Sequence, residues 1–174
     1  PLLLKLRRGM AGKEMHRIEN KDDLEYWVRR VKISDYILQQ YVGNADDEYT
    51  VSIFGFHDGT FSEPFALKRK LNYGTTFEAE TIYDSTISDV VSRVAKKLKI
   101  VGPTNFQFRK VGADYFLLEI NPRFSSSTSI KTAFGFNEPL MAVKSFVFRQ
   151  SQVLSNIKRG RCSRYIADTI IYET

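Results

Sequence analysis

Residues 105–121 constrain the fold more than any other stretch of the chain. Asn105-Phe-Gln-Phe-Arg109 alternates polar and aromatic residues at every step, and Leu118-Glu-Ile-Asn121 alternates again beyond a turn at Gly112-Ala-Asp114. Strand side chains point to opposite faces in turn, so the pattern predicts an antiparallel hairpin with Phe106, Phe108, Leu118 and Ile120 on one face. Asn105, Gln107, Arg109, Glu119 and Asn121 take the other. A turn centred on Ala113 sets Gln107 opposite Glu119 and Asn105 opposite Asn121. Four oxygen-bearing side chains then share a face where a core strand carries apolar residues. One carboxylate among amides suits a hard cation that keeps waters and shares phosphate oxygens, and Mg²⁺ is the natural candidate. Arg123 lies just beyond, placed to neutralise a phosphate. The competing reading is a hydrogen-bonded amide ladder with Glu119 in solvent.

Composition narrows the class further. A chain of 174 residues is long enough for one core that buries roughly 70% of the unfolded surface. Thirteen Phe and nine Tyr exclude disorder, and a single Cys excludes a disulfide framework and fits a reducing compartment. No apolar run approaches the roughly 20 residues of a membrane span, so a soluble, cytoplasmic protein without membrane contact is expected. The net charge of +6 fits a solvated basic surface or a polyanion site. No zinc-finger, basic-zipper or RNP signature accompanies it, which disfavours nucleic acid as a partner. The chain opens at Pro1 on an apolar run, as expected of a domain lacking its front.

Along the chain, residues 1–5 read as a short buried strand followed by a basic, glycine-containing turn at Arg7–Lys13. Asn20 caps a helix over 21–32 whose Leu24, Trp27, Val28 and Val31 recur at helical spacing. Strands at 36–42, 48–56 and 61–71 are expected to form an antiparallel meander. After a loop at Gly74-Thr-Thr, a helix starts at Asp84 or Ser85 with Ile87, Val90, Val91, Val94 and Leu98 in one stripe. The hairpin follows, then a helix that Ser125–Ser127 cap, a helix over 139–149 and a last strand over 164–172. The sum is an α+β fold with a largely antiparallel sheet.

Taken together, these residues resemble a known family. Leu118-Glu-Ile-Asn-Pro-Arg123, preceded by Asn105-Phe-Gln107, is similar to the metal-binding end of the ATP-grasp fold, in particular its carbamoyl-phosphate-synthetase-like branch. Other pieces fall in the family's order over nearly the whole chain. Pro1-Leu-Leu-Leu-Lys5 with Gly9 and Gly12 resembles the strand lysine and glycine-rich flap. Ile37-Leu-Gln-Gln-Tyr-Val42 with Glu48-Tyr-Thr-Val51 resembles the adenine hinge and the ribose-binding acid. The chain departs from many relatives in carrying Gln39 and Gln40 in the hinge and Gln107 at a metal position, and its flap has fewer glycines.

The resemblance implies an ATP-grasp domain whose front is missing, with residues 1–42 in a small Lys/Gly-flap subdomain that ends in the adenine hinge, and residues 43–174 in the subdomain with the metal site. It implies an ATP- and Mg²⁺-dependent ligase, with Mn²⁺ as a substitute ion. A small carboxylate or bicarbonate-like acid would become an acyl phosphate that an amine or similar nucleophile displaces. Lys5, Gly9, Gly12, Gln39, Gln40, Tyr41, Val42, Glu48 and Lys68 would bind the nucleotide; Gln107, Glu119 and Asn121 would hold the metal; Lys5, Asn105 and Arg123 would serve catalysis. A homodimer is compatible with this reading. Two rivals stand beside it: a regulatory nucleotide-binding module of the same fold and, more remotely, a basic nucleic-acid-binding domain. His16, His57 and Cys162 lack partners at metal or triad spacing and read as structural.

Overall fold

The computed structural model describes residues 1–9, 14–72, 74–151, 156–165 and 167–171. The chain divides into two units, Pro1–Gly43 with a short piece ahead of Thr76, and Asn44–Asn72 with Thr76–Thr174. In the first unit, β1 (Leu2–Leu6) runs antiparallel between β2 (Met15–Ile18) and β3 (Tyr36–Gln40). Helix α1 (Lys21–Val28) starts where it does because Asn20 Oδ1 accepts the Asp23 N–H at 2.9 Å while Asp23 Oδ2 accepts the Glu19 N–H at 2.9 Å. The first bond satisfies one of the helix's otherwise unpaired donors and the second fixes the chain that enters it. Leu24, Trp27 and Val31 pack on buried Leu4, Ile18 and Tyr36, and the Trp27 ring stacks on His16 at 3.5 Å. The helix stops at Val28, short of the expected residue 32, because the N–H groups of Arg30 and Val31 both turn back onto the Trp27 carbonyl. Strand β2 was not expected: its four residues are too few to display alternation, and pairing with β1 is what defines it.

The second unit is a six-stranded sheet in the order β8-β7-β4-β5-β6-β9. Its strands are β4 (Glu48–Gly55), β5 (Phe65–Asn72), β6 (Thr75–Ile82), β7 (Gly102–Val111), β8 (Asp114–Asn121) and β9 (Arg161–Ser163). This corrects the expected meander. Strand β3 pairs with β1 in the other unit, and β4 lies between β5 and β7. Residues 75 and 76, expected in the loop at Gly74-Thr-Thr, open β6, which runs on to Ile82. The last strand is also shorter and earlier than the expected 164–172: it ends at Ser163, after which the Arg164 N–H still reaches the Phe77 carbonyl at 2.8 Å while its guanidinium donates to the Thr76 carbonyl at 3.2 Å and the Ser126 carbonyl at 2.7 Å.

One sheet face is largely apolar where a helix covers it. Helix α2 (Ser85–Leu98) buries Ile87, Val91 and Ala95 against Val51, Ile53, Ala66, Phe106 and Phe108. Leu98, expected in that stripe, is instead 58% exposed, because the helix ends at Lys99 in the left-handed region (φ 50°) as the chain turns away. Close passage of that turn requires Gly55, where a Cβ would lie 2.0 Å from the Ile100 carbonyl oxygen. The other face is graded. At one end Phe54, Phe56, Phe65 and Leu67 are covered by Ile130, Phe136 and Met141, from α3 (Thr128–Ala133), α4 (Glu138–Ala142) and the loop joining them. Toward the start of β4 the same face turns polar through Ser52, Thr50 and Glu48, all buried. Among the described residues no helix is long and apolar enough to cross a membrane.

Asp84 ties α2 to the hairpin, accepting the Thr86 N–H at 2.9 Å and the Tyr115 hydroxyl at 2.7 Å. The Tyr115 hydroxyl, more than any other group, holds the Asp84 carboxyl below its ordinary value of 3.8. A carboxyl with a depressed folded pKa contributes stability above its unfolded value, and that contribution disappears as pH falls through the folded value. Denaturant titrations of Asp84→Asn and the parent chain are therefore expected to differ at pH 6 and to converge well below pH 3.8. A difference independent of pH would show that the charge of Asp84 is immaterial.

Candidate functional site

The site is built on the β7–β8 hairpin, and its geometry depends on one irregularity. Near the turn the register runs Val111↔Asp114 to Phe108↔Leu117, so the loop has two residues, with Gly112 at φ 60°. A positive φ at the first turn position is the pattern of a tight II′ hairpin. Continued unchanged, that register would place Glu119 opposite Phe106 on the core face. A β-bulge opposite the Gln107/Phe108 step adds one residue to β8 and restores Gln107↔Glu119, Phe106↔Ile120 and Asn105↔Asn121. The pairings expected from the alternation are thus present, through a two-residue turn plus a bulge rather than a symmetric three-residue turn.

On this face Glu119 is exposed and its Oε1 accepts an amide hydrogen from Asn121, whose Oδ1 in turn accepts from Arg123 Nη2 at 3.2 Å. A second Arg123 nitrogen donates to the Phe124 carbonyl at 3.1 Å, which fixes the exposed guanidinium at the end of the hairpin. Gln107 Oε1 accepts from Arg69 Nη2 at 3.0 Å, and the same nitrogen donates to Glu48 Oε1 at 2.7 Å. Asn105 departs from expectation. It is buried, and its Oδ1 accepts from the hydroxyls of Thr50 at 2.5 Å and Ser52 at 3.2 Å. Its oxygen is committed to β4, so three oxygen-bearing side chains converge rather than four.

Beneath the hairpin lies a buried polar floor. Lys131 Nζ donates to Ser52 Oγ at 2.7 Å and pairs with Glu138, which also accepts from the Thr128 hydroxyl at 3.4 Å. Lys131 and Glu138 are 1% and 0% exposed. Burial pushes the Lys131 ammonium below its ordinary value, and Glu138 opposes that shift. The Lys131–Ser52–Asn105 chain of hydrogen bonds therefore runs from α3 through β4 to β7. Ser127, expected to cap α3, makes no side-chain cap and bonds Thr76 Oγ1 at 2.8 Å; the Thr128 hydroxyl closes that turn onto the Ser125 carbonyl.

Two assignments on this unit are corrected. Glu48 does not open its strand as an exposed acceptor: it is 5% exposed, with Oε1 held by Arg69 and Oε2 3.7 Å from Arg109 Nη2. Both its oxygens face guanidinium groups, so it is not the exposed acceptor the sequence led one to expect. Lys68 stands on the wrong face. It lies opposite Tyr49, over whose ring its ammonium sits at 5.8 Å, and it pairs with Asp47 at 2.8 Å. That contact holds the Asp47 carboxyl below its ordinary range. The cation that β5 turns toward Gln107 is Arg69, which sequence reasoning passed over; its place between Lys68 and Lys70, opposite Glu48, was the available signal. Arg164, holding the Ser126 carbonyl and Ser129 Oγ just beyond Arg123, was also missed.

In the first unit, β1 register places Lys5 opposite Met15 and Ile37, and Leu3 opposite Arg17 and Gln39. Leu4 and Leu6 take the face covered by α1, so Lys5 and Gln39 share the opposite face. Gln40 ends β3, and beyond it the Tyr41 N–H donates to the Pro1 carbonyl at 3.1 Å, with Arg17 over the Tyr41 ring at 4.7 Å. Val42 follows outside the strand. Gly9 lies in the turn after β1, where a Cβ would meet Leu6 at 3.4 Å. Gly12 falls outside the described residues.

The α+β architecture with its mostly antiparallel sheet is that of an ATP-grasp fold. The same architecture is present in solved structures of low sequence identity. The biotin carboxylase domain of Hydrogenobacter thermophilus 2-oxoglutarate carboxylase, solved with MgADP, ADP and bicarbonate, matches with a TM-score of 0.75 at 12% identity over 92% of this chain and 40% of that one. The Staphylococcus aureus N5-carboxyaminoimidazole synthetase complexed with ADP gives 0.71 at 18%, over 91% and 44%. The Campylobacter jejuni biotin carboxylase complexed with β,γ-ATP gives 0.73 at 18%, over 92% and 40%. The chain thus spans less than half the length of these proteins. A comparison with curated proteins finds no match. Residues 32–168 match the family described as ATP-grasp in the biosynthetic pathway with Ter operon, and the chain belongs to that family.

Proposed function

We propose that the chain is the ATP-binding part of a ligase that joins a small carboxylate or bicarbonate-like acid to an amine or similar nucleophile. The observation that carries this reading is the bulge-set convergence of Gln107, Glu119 and Asn121 on one face, closed by Arg123. Among the described residues no three His, Cys, Asp or Glu side chains cluster. The donor set is one carboxylate with amide oxygens, which suits Mg²⁺ shared with phosphate oxygens, replaceable by Mn²⁺. When bound, the ion neutralises charge on the nucleotide's phosphates.

In the reaction, a carboxylate oxygen attacks the γ-phosphorus, the β,γ P–O bond breaks and ADP leaves. The nucleophile then adds to the acyl carbon of the acyl phosphate and inorganic phosphate departs. The chain's own contribution is positioning and charge. Arg123, anchored through Asn121 and the Phe124 carbonyl, steadies the transferring phosphoryl group. Lys5 at the end of β1 and the turn containing Gly9 engage the phosphates, and the hinge backbone of Gln39–Val42 reads the adenine edge. Residues 1–42 act as the flap subdomain and 43–174 as the metal-bearing one. The unpaired Cys162 accords with a cytoplasmic setting.

Calorimetric titration of a non-hydrolysable ATP analogue, with and without Mg²⁺, tests the reading. Binding that strengthens with Mg²⁺ and weakens more in Lys5→Ala than in Lys13→Ala is expected. Binding indifferent to Mg²⁺ would sink the metal assignment, and equal effects of the two lysines would sink that of the flap.

A further inference from the structure

Both ends of the turn after β1 are held at one place, the start of β3. The β1–β3 ladder closes at Leu6↔Tyr36 and the β1–β2 ladder at Lys5↔Met15, so Arg7 and Glu14 are the first residues beyond them on the outgoing and returning sides. On the outgoing side the Arg7 N–H donates to the Asp35 carbonyl at 2.8 Å, and Arg7 Nε donates to the Tyr36 carbonyl at 3.3 Å. On the returning side the Tyr36 hydroxyl donates to Glu14 Oε2 at 2.9 Å. Glu14 stands at φ 55°, in the left-handed region that a residue with a Cβ enters at a cost. Its side chain is exposed, and the Tyr36 hydroxyl is that side chain's one hydrogen-bond partner among the described residues. Tyr36 is 9% exposed and packs with Leu4 and Ile18. A buried ring holds one rotamer in a close-packed core, so its hydroxyl is a fixed point.

We infer that Tyr36 is a positioning residue for the phosphate contacts: through Arg7 and Glu14 it fixes the base of the turn that contains Gly9, and it sets that base in register with β3, the strand it begins and that runs on to Gln39 and Gln40. The inference rests on the nucleotide reading above. Tyr36 lies opposite Leu6, on the face covered by α1, whereas Lys5 and Gln39 share the other face. Its hydroxyl therefore acts only through Glu14. A turn whose two ends are already fixed loses less conformational freedom when it closes on a ligand.

Tyr36→Phe deletes the hydroxyl and keeps the ring. Calorimetry on this variant is expected to show affinity for the non-hydrolysable ATP analogue with Mg²⁺ reduced roughly tenfold, the size of a hydrogen bond to a charged acceptor. Affinity for adenosine, which carries no phosphate, is expected to stay unchanged. Glu14→Ala is expected to reproduce the loss, and Glu14→Gln to retain most of the affinity because its amide oxygen accepts the same hydroxyl. Tyr36→Phe combined with Glu14→Ala is expected to bind no more weakly than either alone. Analogue affinity unchanged in a folded Tyr36→Phe, or adenosine affinity falling in step with it, overturns the inference. If Tyr36→Phe does not fold, Glu14→Ala and Glu14→Gln, both changes at an exposed side chain, carry the comparison. Tryptic cleavage after Arg8 reads the anchoring without any nucleotide. Faster cleavage in Tyr36→Phe and Glu14→Ala than in the parent chain and Glu14→Gln is expected, and equal rates overturn the inference as well. A parent chain that binds neither analogue nor adenosine removes the nucleotide reading, and the cleavage rates then decide the anchoring by themselves.

Discussion

Glu138→Ala is expected to cost about 3–5 kcal/mol of folding stability, the range for breaking a buried ion pair by deleting one partner. Glu138 and Lys131 are 0% and 1% exposed, and their neighbours Ile130, Phe136 and Met141 offer an ammonium nothing. Among the described residues, Ser52 Oγ, at 2.7 Å, becomes the sole acceptor left to the Lys131 ammonium. Against a typical total of about 5–15 kcal/mol the loss is large, and a denaturant midpoint measures it. The pH dependence has a definite sign. With Glu138 gone, the folded pKa of Lys131 falls further below 10.5, so the unfolded state binds more protons between those two values. The variant therefore regains stability relative to the parent chain as pH rises through that window. Replacing both partners, as in Lys131→Met with Glu138→Leu, is expected to be near neutral because no charge is stranded. A double variant as unstable as the single one would show that the Ser52 contact, not the charge, matters.

Glu119→Ala is expected to weaken Mg²⁺-dependent binding of the ATP analogue on the order of 100-fold, the upper end of what loss of even an outer-sphere partner costs a metal site. Fold stability is expected to stay within about 0.5 kcal/mol, because the side chain is exposed. Affinity measured without Mg²⁺ is expected to change little, which separates loss of the ion from damage to the nucleotide contacts. An unchanged Mg²⁺ dependence in a folded Glu119→Ala chain would remove Glu119 from the metal site.

Much of the second unit is legible in the sequence where alternation is long and turn chemistry plain. The alternation of Asn105–Arg109, the Asp84 cap and, of the expected stripe, Ile87, Val90, Val91 and Val94 appear in the structure as the pattern implies, with Ala95 in place of Leu98 at its end. Strands β2, β6 and β9 are not legible. Two are very short, and β6 carries charged Glu78 and Glu80 that balance cations on its neighbours, Lys70 at 3.0 Å and Arg161 at 3.3 Å. Such pairings exist only once the sheet is assembled. Strand pairing itself is invisible for the same reason: nothing in 36–42 announces that it pairs with β1 rather than with the strand that follows it.

The site divides along the same line. Sequence alone determined which side chains are offered, because residue type and spacing fix the donor chemistry of Gln107, Glu119, Asn121 and Arg123 and the face each takes within its own strand. Only the tertiary structure decided which are free to act. The bulge in β8 sets the parity that brings Glu119 to Gln107, the contacts with β4 withdraw Asn105, and the facing of β5 makes Arg69 rather than Lys68 the neighbouring cation. The physical reason is that strand periodicity is a local property of the backbone. Register and the occupancy of lone pairs, by contrast, are properties of pairs of strands far apart in the chain.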